Sequence, residues 1–504
     1  VVENSLIDMY TKCGSIEDAK RVFDMLQNRD VVSWGAIIAG YAVHGPIHHA
    51  FSLFYDMQKA GVQPCKVTFL SILKACVTGA VVKNGRLIHD FIVRVGLESD
   101  IVILNTLVDM YAKCGSLDEA HKIFTSLQHP TVVSWGALIA GYAMNDQYPL
   151  AIKLFKEMNY RSITISSCIA SCILKVCGNL QYLRGGRHIH AQMIEHELQS
   201  DMSGPLLIEV YAKCKSFEDA ESIFELCKLN VESWAAIIVG YSNHGYFDCV
   251  FRLYRMMMHI QKIKPSNVIF SAILKACSSV GNIQKGRIIH ECIVWTGMQT
   301  DIIIGNTLVD MYAKFGSIEE AYHVFSTLPH PDHISWGAMM TGYVEHGYDV
   351  ATLELLEKLY HQGINPNEAS FLSGLKACGN IGTCEQGMWI HDQIVRNGCE
   401  LRLEIGSTIL DMYGKCGMQR EAVKIFNDLS RKDVVAWGAL VAAYSLTGHG
   451  KLAIDAFKDM HLHGVKPDEV FFTNVLSACS QGGLLEEGLF YLKSLLQDYD
   501  ITPN

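Results

Sequence analysis

Four histidines, His89, His190, His290 and His391, follow one another at intervals of 101, 100 and 101 residues. Imidazoles at a recurrent position look like a metal motif on paper. In a regularly repeating chain, however, residues a hundred positions apart do not come within ligand distance, so packing is their expected role. Seventeen cysteines raise the question of disulfides or zinc. Nine of them fall on two recurrent positions: Cys13, Cys114, Cys214 and Cys416, and Cys76, Cys177, Cys277, Cys378 and Cys479. Phe315 replaces one at the first position, which neither a disulfide partner nor a metal ligand would tolerate. They read as small buried apolar side chains in a reducing compartment. No Cys-x-x-Cys pair follows a His-x-Glu, so a zinc deaminase site is excluded, and no metal or other cofactor is implied. No nucleophile, base and orienting group cluster in a recognisable motif, so no enzyme is expected within these residues. Lys12, Lys113, Lys213, Lys314 and Lys415 also recur. Each could touch a phosphate, or could offset the helix dipole and pair with the Asp four residues earlier. Trp34, Trp135, Trp234, Trp336 and Trp437 could stack on bases, but five at one repeat position read as core.

These spacings point to the elements that carry them. Tyr10, Tyr111, Tyr211, Tyr312 and Tyr413 open related phrases at intervals of 101, 100, 101 and 101 residues. Each period splits into three units, and each unit holds two stretches of helical apolar spacing. In 101–131, Leu107, Val108, Met110 and Tyr111 mark the first helix, and Ala120, Ile123, Phe124 and Leu127 mark the second. Cys114-Gly115-Ser116 breaks between them, with Gly as a left-handed stop and Ser as a start signal. The units run 1–30, 31–65, 66–100, 101–131, 132–166, 167–201, 202–230, 231–266, 267–301, 302–332, 333–367, 368–402, 403–433, 434–468 and 469–504. A lone hairpin cannot bury its apolar face, so these fifteen are expected to stack as one all-α solenoid domain.

Hydrophobic content of 49% against 19% charged residues describes a folded chain. No run approaches eighteen apolar residues, so no membrane span is expected. The net charge of −10 works against phosphate binding unless basic residues gather along one groove. Val1 lies inside a repeat and Asn504 closes one without a polar cap, so the chain reads as a segment of a longer protein. A protein-binding tetratricopeptide array would carry Trp-x-x-Leu-Gly-x-x-Tyr in every repeat. Here Trp comes only every third unit and lacks that phrase.

Asn105-Thr-Leu-Val-Asp-Met-Tyr-Ala-Lys-Cys-Gly-Ser, Val132-Val-Ser-Trp, and Leu274-Lys-Ala-Cys with Gly286-Arg-Ile-Ile-His resemble the short, P-like and long repeats of the pentatricopeptide repeat family of land plants, in its triplet-organised PLS subclass. The last unit, with Leu476-Ser-Ala-Cys-Ser and Asp498-Tyr-Asp-Ile-Thr-Pro, is similar to the long repeat that precedes the family's C-terminal extensions, which this chain lacks. The resemblance implies a right-handed α-solenoid superhelix in S-P-L order. It implies single-stranded RNA as partner in a mitochondrion or chloroplast, and specification of cytidine-to-uridine editing at about one base per repeat. Editing-factor proteins, or a deaminase module in trans, are the further partners it implies. RNA processing, splicing or stability is the alternative task.

By the same resemblance the readers are the fifth and last residues of each unit, with the 5′ end of the RNA at the N-terminal repeats. Asn4 with Asp30, and Asn306 with Asp332, fit a uridine pair. Ser407 with Asp433 fits guanosine, Thr473 with Asn504 fits adenosine, and Asn105 with Thr131 fits a pyrimidine. Ser171 with Asp201 and Ser271 with Asp301 are weaker guanosine readers, and Asn367 and Asp468 are weaker readers at the ends of their units. The asparagines at the fifth position could alternatively cap their helices. The P-like units carry Gly35, Gly136, Ala235, Gly337 and Gly438 at the fifth position, which offer no donor or acceptor and are expected to read little. Unit 202–230 has Pro205 or Leu206 there and is expected not to read.

Overall fold

The computed structural model describes residues 2–198, 203–227, 230–398 and 403–497. Among them the chain forms thirty α-helices and no strand, two helices to each of the fifteen segments. Unit 101–131 shows why. Helix Ile101–Lys113 starts where the Asp100 carboxylate accepts from the amides of Val102 and Ile103 at 2.9 and 3.2 Å. Leu107, Val108, Met110 and Tyr111 turn inward and are buried. The helix ends at Gly115, whose φ of +80° is a left-handed stop. Gly14, Gly316 and Gly417 repeat it, while Lys215 holds the same place at φ +59°, a conformation that costs a side-chain-bearing residue energy. Helix Leu117–Ser126 then buries Ala120, Ile123 and Phe124. Ser116 stands at its N-cap but makes no capping bond. Pro205 sits in the first turn of helix Ser203–Lys213, where no intrahelical partner for its missing N–H is needed.

The contacts group into two units, Val1–His244 and Gly245–Asn504. Within each, first helices pack on one another in chain order, and most second helices pack on the first helices of their own and the next repeat. In the first unit the seams between repeats are made by recurrent partners. Trp34, Trp135 and Trp234 are buried, edge-on to Phe23, Phe124 and Phe224 at 4.8, 4.8 and 4.7 Å. The Nδ1 atoms of His89 and His190 lie 3.2 and 2.8 Å from the hydroxyls of Tyr111 and Tyr211. The second unit repeats this with Trp336 on Phe325 and Trp437 on Phe426, and with His290 and His391 at 2.9 Å from Tyr312 and Tyr413. The histidines and tryptophans are therefore packing residues. The five cysteines of the Cys76 row are buried, and burial raises the Cys76 thiol to about 12.

Successive first helices approach closely where glycine meets alanine. A methyl on Gly141 would lie 2.3 Å from Ala112 Cβ, and one on Gly342 would lie 2.5 Å from Ala313 Cβ. In the last triplet the pair is reversed, with Gly414 facing Ala443. These contacts fix how near successive first helices lie, and so the spacing of the groups they carry.

Candidate nucleic-acid interface

The fifth residues sit inside the first helices, one turn past the start. Helices Ile101–Lys113 and Ile302–Lys314 are capped by Asp100 and Asp301, so Asn105 and Asn306 are not caps. The last residue of a unit stands at the N-cap of the next first helix, and in several units its side chain makes the capping bond. Asp30, Thr131, Asp332, Asp433 and Asp468 all accept a bond from a backbone amide of the following helix. A fifth residue therefore faces a last residue across the seam. The Asn4 amide donates to both Asp30 oxygens at 3.2 Å. The Asn306 amide donates to Asp332 at 3.3 Å, and the Asn105 amide to the Thr131 hydroxyl at 3.4 Å, while Ser134 donates to the Asn105 carbonyl at 2.6 Å.

The carboxylates of these pairs are held ionised. The Ser33 amide lowers the Asp30 pKa, helped by the Ser33 hydroxyl and Asn4. Burial works against Asp332, but the Ser335 amide and hydroxyl, with Asn306, outweigh it and leave its pKa below the ordinary value.

Other predicted readers are placed less evenly. Ser407 and Asp433 line one hollow. Thr473 is exposed, and its hydroxyl donates to the Glu469 carbonyl of its own helix at 2.9 Å. Asn504 and Asp201 lie outside the described residues. Ser171 is half-buried, and the Ser271 hydroxyl accepts from Thr307 at 3.4 Å. Asp301 accepts from the amides of Ile303 and Ile304 and from Asn267. The Asn367 carbonyl accepts from the amide and hydroxyl of Ser370.

The five lysines are all ion-paired. Lys12, Lys113, Lys314 and Lys415 bond Asp8, Asp109, Asp310 and Asp411 at 2.7, 2.9, 2.7 and 2.9 Å, and Lys213 bonds Glu209 at 2.8 Å. This is the i, i+4 helix-surface pairing that the sequence spacing allows.

Two features of this face escaped the sequence reading. The second residue of many units is an exposed β-branched side chain, as at Val32, Val67, Val435 and Val470, between 57% and 68% exposed. Its neighbours one turn on are core, so only the fold shows it standing outside the apolar stripe. Two glycines of the P-like units, Gly35 and Gly438, line hollows. One of about 630 Å³ is lined by Asn4, Asp30, Val32, Gly35 and Val67. Another of about 670 Å³ is lined by Ser407, Asp433, Val435, Gly438 and Val470. Each joins a predicted reader pair to two apolar walls, a shape that suits a flat ring with a polar edge.

The family model described as "PPR repeat" matches residues 4–31, 102–129, 133–163, 206–230, 232–260, 306–328, 407–434 and 435–465, and that described as "PPR repeat family" matches 29–78. Pentatricopeptide repeat-containing protein At5g27110 of Arabidopsis thaliana is 31% identical over all of this chain and 73% of its own length. The chain belongs to the pentatricopeptide repeat family. Pentatricopeptide repeat-containing protein At5g52850, chloroplastic, also of Arabidopsis thaliana, is 30% identical over the whole chain. This pentatricopeptide repeat chain spans 56%, 62% and 57% of the length of three such curated relatives. Its fold is shared with the crystal structure of the pentatricopeptide repeat protein PPR10 from maize, at a TM-score of 0.66 and 17% identity over 98% of this chain and 78% of that one. PPR10 has also been solved in complex with an 18-nt psaJ RNA element.

Proposed function

We propose that this chain binds single-stranded RNA in a sequence-specific way, with successive repeats addressing successive bases. The observation that carries the reading is the recurrence of the amide–carboxylate pairs Asn4–Asp30 and Asn306–Asp332 at one place on the repeat, bonded across the seam. An amide with a capped, ionised carboxylate beside it offers both a donor and an acceptor to a base edge. The exposed valines supply apolar walls for the ring faces. The related maize protein's complex with RNA agrees with this use of the fold.

The finer task we propose is the marking of cytidines for conversion to uridine, by a deaminase module outside these residues or with editing-factor proteins in trans. The triplet order of short, P-like and long repeats supports it. The compartment we propose is a plant organelle, in keeping with relatives named chloroplastic.

Selection of the purified chain against a random single-stranded RNA pool tests the reading. Uridine is expected at the first and tenth positions, a pyrimidine at the fourth and guanosine at the thirteenth. Binding without positional enrichment would refute it.

A further inference from the structure

Gly438 gives repeat 434–468 no fifth side chain, yet the place above it is not vacant. The amide of Asn474, on the first helix of the next repeat, donates to the Gly438 carbonyl at 3.2 Å. Its nitrogen lies 3.9 Å from where a Gly438 Cβ would stand. Asn474 shares the Gly438 hollow with Asp468, the last residue of that repeat, and with Val435 and Val470. Asp468 is fixed there because its carboxylate accepts from the Phe471 amide at 2.8 Å.

We infer that Asn474 stands in for the missing fifth residue, so that repeat 434–468 reads uridine through Asn474 and Asp468. This inference rests on the RNA-binding reading proposed above. A primary amide has four hydrogen-bonding valences, two donors and two acceptor lone pairs. The bond to Gly438 takes one donor, which leaves one N–H and the carbonyl oxygen. Uracil presents an N3–H flanked by two carbonyls. The Asp468 carboxylate accepts the N3–H, and the remaining Asn474 N–H donates to a uracil carbonyl. Cytosine has no N3–H and would set a lone pair against the carboxylate. Val435 and Val470, 59% and 68% exposed, wall the ring on either side.

Two other P-like repeats show what this arrangement needs. At Gly337 the neighbour is Asn367, whose amide atoms lie 2.9 and 3.0 Å from the Cβ position. Its oxygen already accepts from the Ser370 amide and hydroxyl, and its nitrogen donates to the His333 carbonyl, so little remains for a base. At Gly136 the neighbour is Ile169, which has nothing to offer. Only Asn474 among these three brings an uncommitted polar end to the hollow.

The test is selection against the random RNA pool with the full chain and with Asn474→Ala, thermal unfolding serving to confirm that the variant is folded. The expected result is uridine at the fourteenth position as well as the first and tenth. Asn474→Ala should lower the preference at the fourteenth by about tenfold, the scale of one well-placed polar contact to a base, and leave the other two intact. A second variant, Gly438→Ser, has room for its Cβ and should move the fourteenth preference toward guanosine, as Ser407 with Asp433 implies for the thirteenth. A flat or guanosine-rich fourteenth position in the parent chain, or no response to Asn474→Ala, would overturn this inference while leaving the RNA-binding reading in place. Loss of enrichment at every position in the parent chain would overturn both.

Discussion

Replacing Gly141 by Ala tests whether backbone contact sets the spacing of successive first helices. The new methyl would lie 2.3 Å from Ala112 Cβ and 3.3 Å from Ala112 Cα, atoms that no rotamer change can move. Overpacking of this kind costs up to about 3 kcal/mol. The better helix propensity of Ala returns about 1 kcal/mol, so the net loss is about 2 kcal/mol. Ala112→Gly alone removes the obstacle but loses about 1 kcal/mol of propensity. The last triplet already carries the reversed arrangement, Gly414 facing Ala443, so the double variant has a natural precedent within the chain. Its two propensity changes cancel, and it should return to within about 0.5 kcal/mol of the parent, a coupling of about 3 kcal/mol. Repeat arrays need not unfold in one step, so the assay is native-state hydrogen exchange of the amides in helices Ile101–Lys113 and Val132–Met144. Strictly additive effects of the two substitutions would refute the reasoning, because they would mean that the seam relaxes freely.

Asn306→Ser, with Asp332 kept, should change the tenth-position preference from uridine to guanosine in RNA selection; an unchanged uridine would show that Asn306 does not read. Lys314→Ala should leave the salt dependence of RNA binding unchanged, because Asp310 already neutralises the ammonium at 2.7 Å. A decrease of about one in the slope of log affinity against log salt would instead reveal a phosphate contact. Burial lowers the pKa values of His89, His190 and His290 from the ordinary 6.5. Below that value the unfolded chain binds more protons than the folded one, so this stability is full above pH 6.5 and is lost as pH falls toward the depressed folded values. The melting temperature should therefore drop between pH 7 and pH 5, and His190→Gln should flatten the drop; parallel profiles for parent and variant would count against the burial argument.

Much of the architecture was legible because it is written along the chain. Tyr111, Trp135, Cys177 and their counterparts mark where each helix turns its apolar side inward, and local spacing suffices to read that. The helix starts were less legible. Asn105 looked able to cap its helix because Asn often does, but Asp100 is the cap and Asn105 lies a turn further in. The lysine row was open to two readings from sequence, and the structure shows each lysine bonded to an acidic neighbour on its own helix. The glycine hollows could not be read at all. Gly438 is simply a missing side chain in one dimension, and the group that leans over it, Asn474, is 36 residues away. Distances between neighbouring repeats depend on how closely backbones approach, and the contact of Gly141 with Ala112 that sets them has no signature in either helix alone.

Under the proposed RNA reading, the last residue of several repeats has a double duty, which bounds what the array can evolve to recognise. Asp30, Thr131, Asn230 and Ser166 each begin the next helix by accepting a backbone amide, and each occupies the position assigned to recognition by the resemblance. A substitution outside Asp, Asn, Ser and Thr would remove that bond and loosen the next helix by about 1 kcal/mol. Cys65 and Ser266 show that such losses can be carried, since helices Lys66–Thr78 and Asn267–Val280 begin without a side-chain bond. Many such losses along one array would not be. On that reading, the vocabulary of the array is set by helix geometry before any nucleotide is met, and new target sites are reached most cheaply by exchanging one capping residue for another.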